Sequence, residues 1–138
     1  MTTEDYVSFK AAKLLKEKGF DLECDYLYVD GEIRRAQGYA CNWNSGETIL
    51  SDYVNECSAP TLQMVMKWLR EKHNIYVEVR ITNHSFSSLI AVPRYYWIIF
   101  NAKEVKWMDE STAHKPMSYE TVEEACESAI KYCLENLI

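Results

Sequence analysis

The sequence predicts an α+β domain: a mostly antiparallel sheet with about three helices, in the order α-ββ-α-ββ-α over residues 1–138. Three observations carry this. Three amphipathic stretches, near residues 3–18, 59–73 and 121–136, have apolar residues at helical spacing between stop signals. Asp30-Gly31 is a type I′ hairpin signal. Two runs, 75–81 and 94–101, change to a period of two or to continuous β-branched and aromatic residues. Helices packed on one face of such a sheet give the layered α+β architecture.

Taken in order, the first helix is expected from about Thr3 to Lys18. Val7, Ala11, Leu14 and Leu15 form its core face, and Gly19 stands at the C′ position. Leu22–Val29 and Glu32–Gln37 read as the two arms of the Asp30-Gly31 hairpin, and a third short strand is expected near Thr48–Tyr53. The second helix starts with Ser58 as N-cap and Pro60 in the first turn. Leu62, Val65, Met66 and Leu69 lie along one face, with Met64 and Trp68 as a second ridge. Arg70, Lys72 and His73 suit the negative end of the helix dipole, and Asn74 suits a left-handed stop.

Ile75, Val77, Val79 and Ile81 then alternate with polar residues along a half-buried strand, and 83–93 reads as a loop. In RYYWIIFN, Tyr96, Ile98 and Phe100 fall on one side and Tyr95, Trp97 and Ile99 on the other. The first set is taken as core. The Tyr95–Trp97–Ile99 side is then the helix-free one, in need of a partner or a covering loop. Asp109 to Met117 reads as loop. Thr121-x-x-Glu124 is a capping box for the last helix, with Val122, Cys126, Ala129, Cys133 and Leu137 inward.

The pieces SAPTLQMVMKWLREKHNIYVEV and SYETVEEACESAIKYCLENLI, with VSFKAAKLLKEKGFD before them, resemble small proteins of gut Bacteroidetes and of their phages and mobile elements. The resemblance covers most of the chain and rests on caps, core faces and a strand. It implies a fold and a compartment, and brings no activity, cofactor or catalytic residue.

Composition narrows the function classes. Net charge is −6, from 15 basic and 21 acidic residues, which counts against an autonomous nucleic-acid binder. No apolar run approaches the roughly 20 residues that span a bilayer. The acidic start MTTEDYVSFK is no secretory signal, so a cytoplasmic location is expected. The five cysteines have no metal-ligand spacing and read as reduced thiols, with no disulfide, metal or other cofactor expected. Cys126 and Cys133 are about 10 Å apart along one helix face, too far for a bond. His73, His84 and His114 form no ligand motif.

What remains is an unusual supply of large aromatic residues. Trp43, Tyr53, Tyr95, Trp97 and Trp107 are the candidate partner-binding residues, because Tyr and Trp concentrate at interfaces. The leading expectation is a cytoplasmic binding or accessory module that takes a protein partner or a second copy of itself, with no nucleic acid and no membrane. The alternative is a small enzyme with a Cys/His or carboxylate pocket near residues 38–56.

Overall fold

The computed structural model describes residues 5–45, 56–82, 93–114 and 116–138. Among these residues are three α-helices, α1 (Phe9–Glu17), α2 (Leu62–His73) and α3 (Val122–Asn136), and two three-stranded antiparallel sheets. The first sheet has β1 (Tyr26–Val29) between β2 (Glu32–Arg35) and β3 (Glu56–Ser58). The second is a meander of β4 (Ile75–Thr82), β5 (Arg94–Asn101) and β6 (Lys106–Glu110). The chain is therefore an α+β protein, as expected. No helix among the described residues is long and apolar enough to cross a membrane.

The predicted punctuation is largely in place. Asp30 and Gly31 both have positive φ, 52° and 84°, as a type I′ turn requires. Asn74 ends α2 in the left-handed region at φ 56°, ψ 31°, and its N–H returns to the Leu69 and Arg70 carbonyls. The Thr121 hydroxyl accepts from the Glu124 N–H at 3.1 Å, the forward half of the capping box.

The two other helix starts shift, for one shared reason. Residues 5–7 pair with the segment ahead of α2: Val7 N donates to the Pro60 carbonyl, and Leu62 N to that of Asp5, each at 3.0 Å. That pairing keeps 5–7 extended, so α1 begins after Ser8, whose hydroxyl accepts from Ala11 N. It also sets the α2 cap at Thr61 rather than Ser58. Ser58 belongs to β3 opposite Leu27, and its buried hydroxyl accepts from Trp43 N at 3.0 Å. The strand expected near Thr48–Tyr53 lies outside the described residues, and β3 is a further strand.

β6 occupies part of the stretch read as loop. Asn101 Oδ1 accepts from the N–H groups of Lys103 and Glu104, and this turn returns the chain onto β5.

α3 is the hub of the packing: it lies on β4 and β5 and touches both other helices. Its buried residues are Ala125, Cys126, Ala129, Ile130, Cys133 and Leu134. Val122, expected inside, is 40% exposed at the first position of α3. In α2 the two predicted ridges merge into one buried stripe of Leu62, Val65, Trp68 and Leu69.

Candidate functional site

The register of the second sheet decides which aromatic rings are available. Val77 pairs with Ile99 and Val79 with Trp97, so these four share a face, and they pack in or against the core. α3 covers this side. Trp97 is 1% exposed; its Nε1 donates to Ser128 Oγ of α3 at 3.2 Å, and its ring lies 5.2 Å from that of Tyr132. The expected assignment of faces is thus reversed. The Tyr95–Trp97–Ile99 side carries the helices, and among the described residues no helix lies on the Tyr96–Ile98–Phe100 side. Both sides of this strand are apolar, so alternation alone does not choose between them.

On the helix-free face, Phe100 pairs with Tyr76 of β4 and with Trp107 of β6, which aligns three rings across three strands. Tyr76 is 45% and Trp107 51% exposed, and the Phe100 and Trp107 rings meet edge to face at 5.0 Å. With Glu78 and Ala102 they line a shallow groove of about 420 Å3. Ile98 is buried beside them yet stands apart from the main core. The Arg80 guanidinium lies 5.4 Å from the Trp107 ring centre and grips Glu78 through two bonds of 2.8 and 3.2 Å. That grip holds the Glu78 carboxyl below its ordinary range.

The five candidate aromatics therefore separate. Trp107 lies on the exposed face. Trp43 is a core residue that donates its Nε1–H to the Cys24 carbonyl at 2.8 Å. Trp97 is core. Tyr95 is half-buried and bridges to Tyr119, and Tyr53 falls outside the described residues. Tyr76 and Phe100 were missed as site residues because only the cross-strand register brings them beside Trp107.

A second constellation lies on the helix side, where His114 and Tyr132 line a cleft of about 660 Å3 beside α3. Asp109, at the end of β6, is gripped from three directions. Its carboxylate accepts from the Tyr132 hydroxyl of α3, from Glu110 N at 2.8 Å, and pairs with His114 Nε2 at 2.8 Å. Desolvation pushes this carboxyl up, but the Tyr132 hydroxyl and the His114 ring outweigh it and hold it below its ordinary value. The same bond pushes the Tyr132 phenol up to about 12. Glu123, Glu124 and Glu127 on the cleft wall give it an acidic rim. Among the described residues no group of three or more His, Cys, Asp or Glu side chains is placed to hold a metal ion.

The Asp109 grip has a pH signature. A carboxyl lowered by folding adds stability that is fully present above its unfolded value of about 3.9, and lost as pH falls through the folded one. Urea midpoints of wild type and Asp109→Asn should therefore differ at pH 7 and converge below about pH 4. A gap that stays constant down to pH 3 would remove Asp109 from the stabilising ionised groups.

Comparison with protein-family models finds none that matches the chain, and comparisons with curated proteins and with solved structures find no match either.

Proposed function

We propose that the protein is a cytoplasmic binding module that takes a protein partner on the helix-free face of its second sheet. The observation that carries this is the row Tyr76–Phe100–Trp107, half-exposed, in register and rimmed by the Arg80–Glu78 pair. Rigid aromatic side chains beside an arginine are the residue types that dominate interface energetics. The net charge of −6 speaks against nucleic acid as the partner. The resemblance to mobile-element proteins supports an accessory role, and the odd number of cysteines without metal spacing supports the compartment.

Trp107→Ser tests this reading. The variant should keep its thermal midpoint within a few degrees, because the ring is half in solvent. It should lose about 2 kcal/mol or more of binding, roughly thirtyfold in Kd. Light scattering reads self-association, and a photo-crosslinking residue at position 76 captures a different partner from host lysate. A wild type that stays monomeric at high concentration and forms no crosslink from position 76 would sink the proposal.

A second reading, a small enzyme, draws on the Asp109–His114 pair. The imidazole is anchored through Nε2, while its Nδ1 has no partner among the described residues and stands beside a cleft of about 660 Å3. A substrate screen in which turnover disappears in a folded His114→Ala variant would favour it.

A further inference from the structure

We infer that Cys24 and Cys41 form a redox pair, which closes into a cross-strand disulfide by exchange with a small disulfide such as oxidised glutathione.

The two residues lie directly opposite each other in an isolated antiparallel bridge just ahead of β1. Cys24 N donates to the Cys41 carbonyl at 2.8 Å, and Cys41 N to the Cys24 carbonyl at 3.3 Å. Residues that exchange both bonds have Cα atoms about 5.5 Å apart, inside the window of roughly 4.4–6.8 Å that a disulfide spans. Opposed residues also project from the same face of the ladder.

Cys24 Sγ has the Ser58 hydroxyl as a side-chain hydrogen-bond partner. Each sulfur also donates to the carbonyl two positions back in its own strand: Cys24 Sγ to Leu22 at 3.6 Å, Cys41 Sγ to Tyr39 at 3.8 Å. Both carbonyl contacts are long and weak, and rotation of the thiols toward each other about χ1 gives up these and the Ser58 contact of Cys24. The other cysteines are placed differently. Cys57 is opposite Tyr28, and Cys126 and Cys133 lie two turns apart on α3.

Exposure sets the order of events. Cys41 is partly exposed, whereas Cys24 is 1% exposed and burial pushes its thiol up to about 12. The Cys41 thiolate attacks one sulfur of oxidised glutathione and expels the other half as glutathione thiolate. Cys24 then loses its proton and attacks the Cys41 sulfur. That step releases the second glutathione and leaves the Cys24–Cys41 bond. Two protein thiols are oxidised and one glutathione disulfide is reduced to two thiols. In a reducing compartment the pair rests as thiols and closes when the glutathione poise rises.

The bond would lock the loop that contains the β1–β2 hairpin, and with it Trp43, whose indole donates to the Cys24 carbonyl. The test is incubation of the folded chain in glutathione buffers of rising potential. Two of the five thiols should disappear, the intact mass should fall by two hydrogens, and non-reducing peptide maps should join Cys24 to Cys41. The thermal midpoint should rise by about 5–10 °C and return on addition of dithiothreitol. Cys41→Ser should show neither the link nor the rise. If that variant fails to fold, the wild-type peptide map decides alone. A persistent glutathione adduct on Cys41, a link between other cysteines, or five thiols surviving the most oxidising buffer would each overturn the inference.

Discussion

Trp97→Ala should lose about 3–5 kcal/mol of stability, the range for truncating a fully buried aromatic side chain. The indole is 1% exposed and fills the space between β5 and α3. It meets the Tyr132 ring at 5.2 Å and stacks on His114 at 5.6 Å, and its N–H has a partner in Ser128. Removing it opens a cavity under the helix on which the rest of the packing depends. Urea denaturation measures the loss, and Trp107→Ser supplies the contrast. The two tryptophans lie on opposite faces of one sheet, and the exposed one should change stability by only about 0.5 kcal/mol. Equal effects at both positions would mean that the faces are wrongly assigned.

Leu69→Ala comes next, at about 2–5 kcal/mol. Leu69 is fully buried on α2, which packs on β4 and on α3. Its loss cannot be filled without moving elements that other contacts hold. Met66→Ala, three positions earlier on the same helix and only half-buried, should cost less, since its flexible side chain is partly in solvent already. Parallel urea curves with equal slopes give both values; a Met66 effect larger than that of Leu69 would contradict the placement of the α2 stripe.

How far the fold was legible depended on whether the signal was local. Asn74, Thr121 and Asp30-Gly31 act on their own backbone within a few residues, and each does in the structure what its chemistry predicts. The start of α1 was misread because the extended form of residues 5–7 is imposed by Pro60 and by Leu62 of the next helix, more than fifty positions away. β6 was hidden for a different reason. KWMDE does not alternate cleanly, and the turn before it places Val105 at φ 54° where a glycine or asparagine would have announced it.

The sites were less legible than the fold. The binding face depended on register, and RYYWIIFN is apolar on both sides, so the sequence held two candidate faces and no means of ranking them. Asp109, His114 and Tyr132 have no motif spacing; the return of β6 and the lie of α3 bring them together. Cys24 and Cys41 were read as separate thiols for the same reason, since only the bridge between their strands makes them neighbours.

The central place of α3 also governs how the chain reaches its fold. Ser8 N donates to Glu127, and Lys18 Nζ to the Ile138 carbonyl, contacts that join positions 119 and 120 apart. Such contacts form only after a very long loop has closed, so they reward the chain late and slow its collapse to the native state. During synthesis the apolar sides of α1, α2 and the second sheet leave the ribosome before the helix that covers them all. Every nascent chain therefore passes through a stage in which its stickiest surfaces are bare, the condition under which chaperones bind and neighbouring chains aggregate.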